Sequence, residues 1–167
     1  QSTHGMGASP DRLTKRPTTF DASPRAAGGQ SIVATLTGIF DTLRSLFAAT
    51  EAAKERGFTA RRFSLAGKGG RCEQCQGQGR VRVSMDFLSD VWITCEGCHG
   101  RRYDDETLAC TYEGASIADV LSMSITEVAA FLPADATSPG LERTFSLLER
   151  IGLGYLLLGQ PARTLSG

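Results

Sequence analysis

The sequence predicts an α+β fold, a β-hairpin module inserted in a mainly helical domain. Three observations predict it. Two Cys-x-x-Cys pairs, Cys72/Cys75 and Cys95/Cys98, stand nineteen residues apart. Between them Val81, Val83, Met85 and Phe87 alternate with Arg80, Arg82, Ser84 and Asp86, the period of a half-buried strand. On either side, apolar residues recur at helical spacing behind capping residues.

The hairpin is the best specified element. After the first strand Leu88-Ser89-Asp90 turns the chain, and Val91, Ile93 and Cys95 return it. Such a hairpin brings the two cysteine pairs side by side at its base. A Zn²⁺ ion prefers four soft ligands in a tetrahedron, at about 2.3 Å from each thiolate. The spacer falls in the range of zinc modules, so Cys72, Cys75, Cys95 and Cys98 are the expected metal ligands. Two disulfides are the first rival, but that framework suits small secreted domains. Redox-active pairs are the second, yet neither pair has a βαβ context. Four cysteines close the coordination sphere, so the expected zinc is structural. Gly77, Gly79, Gly97 and Gly100 permit the positive-φ turns that metal knuckles need.

The flanks follow in order. Residues 1–30 are rich in Gly and Pro and carry little periodicity, and 1–36 is expected to be a flexible arm. Ile39, Phe40, Leu43, Leu46 and Phe47 mark the apolar face of a helix over about 37–56, with Thr37 as N-cap and Gly57 as stop. That places a helical segment at 37–66, the zinc hairpin at 67–103 and a second helical segment at 104–167. Lys68-Gly69-Gly70-Arg71 forms a basic entrance to the hairpin. A phosphate cradle there is weakly signalled, because no helix follows it. Thr107 to Tyr112 reads as extended. Ser116 caps a helix from Ile117 to Met123, and Ser124-Ile125-Thr126-Glu127 is a capping box for another to about Leu132. Ser138-Pro139 opens a third, ended by Gly152, with Leu141, Phe145, Leu148 and Ile151 as its buried stripe. Tyr155-Leu156-Leu157-Leu158 reads as strand or buried extended chain.

Net charge is zero, but its distribution is uneven. Lys54, Arg56, Arg61, Arg62, Lys68, Arg71, Arg80 and Arg82 face only Glu55 and Glu73 across 54–82, a net of +6, whereas 83–167 holds twelve acids and five bases. A basic face around the hairpin follows, and a solvated surface is the plain alternative. No apolar run approaches the roughly 20 residues that span a bilayer, and Gln1 to Asp21 lacks the apolar core of a signal peptide. A cytoplasmic location with reduced thiols is expected, and Cys110 then reads as an ordinary thiol. His4 and His99 have no catalytic neighbours in the sequence. No Ser/His/Asp set, paired-carboxylate site or Gly-x-x-x-x-Gly-Lys-Ser/Thr loop is present, so no catalytic centre is expected in this chain alone.

Several strings together resemble one family. They are Thr37-Gly-Ile-Phe-Asp41, Lys68 through Gly-Gly-Arg-Cys-Glu73, Asp86-Phe87-Leu88 and Cys98-His-Gly-Arg-Arg-Tyr103 with Glu106-Thr107-Leu108. Ser116-Ile-Ala-Asp-Val-Leu121 and Gly152-Leu-Gly-Tyr155 with Leu158-Gly-Gln-Pro-Ala162 complete the set. From about Asp21 to Gly167 the chain resembles the second half of UvrA, the damage-recognition ATPase subunit of the bacterial excinuclease ABC system. Leu165-Ser166-Gly167 looks like the opening of the ABC signature. The resemblance implies a signature-domain insertion carrying a zinc-bound hairpin, in an ATPase that dimerises, binds double-stranded DNA and hands lesions to UvrB. ATP and Mg²⁺ would belong to the intact parent, and the fragment alone would not hydrolyse nucleotide.

One departure stands out. Asp21-Ala22-Ser23-Pro24 carries alanine where the family pattern offers a glutamine to the nucleotide's Mg²⁺, and the basic stretch after it is thinned. That implies altered ATP coupling and a divergent paralogue. Lys68, Arg71, Arg80 and Arg82 are the expected DNA contacts. The alternative is a zinc-stabilised protein-interaction module. Cys72-x-x-Cys-x-Gly-x-Gly79 also resembles the cysteine-rich region of DnaJ-type co-chaperones, here with one full copy and one partial. Dimer or UvrB contact is the other form of that alternative.

Overall fold

The computed structural model describes residues 31–85 and 87–165. The sequence expectations for 1–30, and those at Asp86, Ser166 and Gly167, lie outside them.

The body begins earlier than expected. Ser31 to Leu36 is no arm: the Ile32 backbone bridges to Pro161, and Ile32, Val33 and Ala34 are buried around the short helix α1 (Val33–Leu36). The single helix expected over 37–56 is two further helices, α2 (Ile39–Ala48) and α3 (Glu51–Glu55). Thr37 closes α1 instead of opening α2, its hydroxyl donating to the Val33 carbonyl at 2.9 Å. Gly38 then takes a left-handed φ of 76° and starts α2. A second break falls at Ala49-Thr50, where Thr50 turns extended and its hydroxyl donates to the Phe47 carbonyl. Ile39, Phe40, Leu43 and Phe47 supply the buried face of α2.

The chain enters the module at Gly70 and leaves it at Asp104, whose amide donates to the Gly70 carbonyl. A Cβ on Gly70 would lie 2.0 Å from the Arg62 carbonyl oxygen, so only glycine allows this close approach. Arg62 stays nearby, donating to Thr107, Asp104 and Glu106 and stacking on Phe58. Tyr103 is buried, with its hydroxyl donating to the Phe63 carbonyl at 2.8 Å. Burial drives its pKa far above the ordinary phenol value, so it stays neutral.

The hairpin pairs β1 (Arg80–Met85) with β2 (Leu88–Thr94) antiparallel, Arg80 opposite Thr94, Val83 opposite Val91 and Met85 opposite Leu88. The reversal therefore falls between Met85 and Leu88. Leu88-Ser89-Asp90, expected to be the turn, is strand, and an irregularity between Val83 and Met85 absorbs the changed register. The alternation is real but the strand is not half-buried. Of the apolar face, Val81 packs against the sulfur cluster, while Val83, Met85, Val91 and Ile93 are exposed.

Downstream, the expected extended segment begins as a helix, α4 (Asp105–Leu108), capped by the Asp104 carboxylate. Strands β3 (Thr111–Tyr112) and β4 (Ala115–Ser116) then pair as a small hairpin. Helices α5 (Ile117–Leu121) and α6 (Ile125–Phe131) carry capping boxes at Ser116/Asp119 and Ser124/Glu127. Helix α7 (Pro139–Arg150) starts behind Ser138 and buries Leu141 and Phe145. Ile151 lies past its end and is 57% exposed, so the expected stripe stops short. Residues 155–158 form turns, with Leu156 and Leu158 buried and Leu157 bridging Ser124. One core joins these helices through Phe47, Phe63, Tyr103, Ile117, Val120, Ile125, Val128 and Leu158. Among the described residues, no helix is long and apolar enough to cross a membrane.

Candidate metal centre and its basic surround

The two cysteine pairs meet where the hairpin is rooted. The four sulfurs of Cys72, Cys75, Cys95 and Cys98 all lie within 4.8 Å of one another. Across the pairs, Cys72 Sγ is 3.9 Å from Cys95 Sγ and Cys75 Sγ is 3.6 Å from Cys98 Sγ. A tetrahedron with zinc–sulfur bonds of about 2.3 Å has edges of about 3.8 Å. These separations are far beyond the roughly 2 Å of a disulfide bond, and all four cysteines are free thiols. The cluster is thus compatible with zinc. Cys110 is buried in the hydrophobic core and is not part of it. His99 is exposed beside Cys98 and offers no ligand to the cluster.

The local backbone repeats. After the second cysteine of each pair comes a left-handed residue, Gln76 at φ 51° and His99 at φ 49°, then a left-handed glycine, Gly77 or Gly100. Two residues on, Gly79 at φ 71° and Arg102 at φ 72° aim their amides at the sulfurs, Gly79 to Cys75 at 3.2 Å and Arg102 to Cys98 at 3.3 Å. Amide donation to sulfur favours thiolate and so prepares a metal ligand. Burial opposes it while no cation is bound: the Cys75 thiol is pushed up to about 12, and burial raises Cys98 as well. For Cys95 burial also pushes upward, but hydrogen bonds from Cys98 and Gly97 outweigh it and the net shift is downward. Cys75 and Cys98, whose proton affinity burial raises, bind metal at the cost of releasing protons.

The four basic candidates differ in their surroundings. Lys68 is exposed on the entrance loop. Arg82 has a side chain 60% exposed and pairs with Asp90. Arg80 lies with its guanidinium 5.0 Å from the Trp92 ring centre. Arg71 is only 10% exposed in its side chain, held by the Leu65 and Ala66 carbonyls and by Glu73 at 3.5 Å. A phosphate there would have to displace those partners. Leu165 ends the described chain just past the short 3₁₀ turn Ala162–Thr164.

Three residues were missed from sequence. Arg163 sits on that turn with its guanidinium 4.5 Å from the Trp92 ring centre, beside Arg80. Trp92 is the one tryptophan of the chain, which was its only signal. Arg102 donates to the Gly77 carbonyl at 3.2 Å and to the Gly159 carbonyl at 2.7 Å, joining the first knuckle to the helical body. Its signal was the imperfect second copy of the Cys-x-x-Cys-x-Gly-x-Gly pattern, where arginine stands in the last glycine's place.

No family model matches the chain. Individual relatives do. The UvrABC system protein A of Halalkalibacterium halodurans is 49% identical over 148 residues, 89% of this chain and 15% of the relative. That of Aquifex aeolicus is 50% identical over 148 residues, 89% of this chain and 16% of the relative. Among solved structures, the crystal structure of UvrA2 from Deinococcus radiodurans aligns with a TM-score of 0.73 at 51% identity, covering 80% of this chain and 16% of that one. A fold match and near-half identity over most of the sequence agree: the chain belongs to the UvrA family, and it spans about 15% of the length of the relatives it matches.

Proposed function

We propose that this chain is the zinc-containing, DNA-binding insertion of the signature domain in a UvrA-like ATPase of nucleotide excision repair. The observation that carries the reading is a four-cysteine cluster at the root of a hairpin flanked by cations, in a chain that aligns with UvrA proteins over most of its length. Cys72, Cys75, Cys95 and Cys98 would hold one Zn²⁺, which in a closed tetrathiolate site supplies shape. Residues 70–103 form the metal module, set between body segments 31–69 and 104–165. Lys68 and Arg82 offer charge outward. Arg80 and Arg163 share the Trp92 ring, and a phosphate beside them would relieve the repulsion between two guanidiniums. Contacts of this kind position a protein on duplex DNA without reading sequence, which suits lesions in any context. Leu165 with Ser166 and Gly167 would open the ABC signature, with ATP and Mg²⁺ held by the intact dimeric protein in the cytoplasm.

The test is fluorescence anisotropy of a labelled duplex with the zinc-loaded protein across a salt series. Lys68→Glu and Arg82→Glu should each weaken binding and flatten the log–log salt slope by about 0.9 for every phosphate left without its cation. Unchanged affinity in the double variant would remove the DNA reading.

A second reading has its own observation. The apolar face of the hairpin, with Phe87 97% exposed at the tip, is a surface of the kind that protein partners cover. A UvrB-like partner or a second copy of the protein would fit it. Loss of partner pull-down in Phe87→Asp, with DNA affinity intact, favours that reading.

A further inference from the structure

The two metal knuckles are near copies in backbone, and they differ at one telling place. Gly79 in the first and Arg102 in the second have the same left-handed φ, and each donates its amide to a cysteine sulfur four residues back. Glycine adopts this conformation freely, whereas arginine does so against its steric preference. A non-glycine residue held there points to a duty for its side chain. Gly79 itself is required by space, since a Cβ would lie 2.7 Å from the Gly100 carbonyl oxygen.

The Arg102 side chain is partly buried, and its two hydrogen-bond acceptors, the Gly77 and Gly159 carbonyls, are neutral. Among the described residues, no carboxylate forms an ion pair with it. Its ionisable neighbours are the buried Tyr103 hydroxyl, another cation, Arg80, and the thiols of Cys75 and Cys98. Its amide lies on the Cys98 sulfur and its guanidinium on the Gly77 carbonyl, two residues past Cys75. A guanidinium withdrawn from water needs an opposite charge nearby. Four thiolates around a divalent ion carry two net negative charges, and they stand where that charge is wanted.

We propose that Arg102 is the counter-charge of the metal centre, a positioning residue that stabilises the four-thiolate form through its guanidinium while its amide bonds Cys98. This rests on the reading of the four cysteines as a zinc site. Outer partners of metal ligands typically matter by about 10- to 100-fold in metal affinity.

The experiment measures zinc affinity of the full chain by competition with a chromophoric chelator, for the native protein and for R102G, R102Q and R102K. Glycine suits the left-handed backbone, so R102G keeps the knuckle while deleting the charge. R102G and R102Q are expected to bind zinc about 10- to 100-fold more weakly, with R102K near native. Native affinity in R102G, or an R102K as weak as R102G, would overturn the assignment, the latter by showing that the carbonyl bridge and not the charge matters. A native protein that takes up no stoichiometric zinc would overturn the zinc reading itself, and this assignment with it.

Discussion

The helical body and the hairpin use the same apolar residue types to opposite ends. In the body, Ile39, Leu43, Phe47, Val120, Ile125 and Val128 are fully enclosed, and aromatic contacts such as Phe47–Phe63 at 5.8 Å tie its segments together. In the hairpin, Val83, Met85, Val91 and Ile93 stand in solvent, and the buried cluster consists of Cys75, Cys95 and Cys98, with Cys72 and Val81 packed against it. The body is held by removing carbon from water. The hairpin has a ladder and a sulfur cluster in place of a core, and an isolated two-stranded hairpin is marginal in water. Side-chain chemistry alone does not decide burial; what packs over a strand does.

That contrast predicts unequal responses to perturbation. Metal removal is the largest, because a structural zinc site contributes on the order of 10 kcal/mol of apparent binding free energy to folding. Chelation should abolish amide protection in 72–98 by hydrogen exchange while α2 and α7 stay protected. Simultaneous loss of both would show that the two regions are one cooperative unit. Next, Phe47→Ala should cost the body about 3–5 kcal/mol through cavity formation, read by denaturant unfolding. Zinc affinity should stay native in that variant, and a parallel fall would break the comparison.

The smallest effect belongs to the α6 cap. Ser124→Ala should cost about 1 kcal/mol. Hydrogen bonds from the Ser124 amide and hydroxyl hold Glu127 below the usual carboxylate range. A depressed folded pKa stabilises above the unfolded value and loses that contribution as pH falls through the folded one. Stability against pH should therefore decline less steeply on the acid side in the variant than in the native protein.

Much of this was legible in the residues. The Ser116 cap, the Ser124 capping box and the Pro139 helix start announce themselves because each is a local rule. The sulfur cluster was legible because cysteine spacing constrains what a metal site needs. The break at Thr37-Gly38 was not, since a threonine able to cap and an adjacent glycine able to start a helix compete, and tertiary packing of Ile32 to Ala34 decides. Helix α4 was missed although Asp104 can cap it and Asp105 and Glu106 form an acidic first turn, because four residues give too little periodicity. The exposure of the hairpin's apolar face was illegible in principle: alternation defines two faces and says nothing of what lies over either.

The module's entry and exit lie against each other. Arg71 bridges Tyr103, the Cys72 amide donates to the Arg102 carbonyl and the Asp104 amide to that of Gly70. An excursion that returns to its own doorstep is a transferable cassette. Splicing Gly70 to Tyr103 through a tight turn would retain the tyrosine that plugs the core, and hairpins of other lengths or tips could be exchanged through the same port without rebuilding the helices.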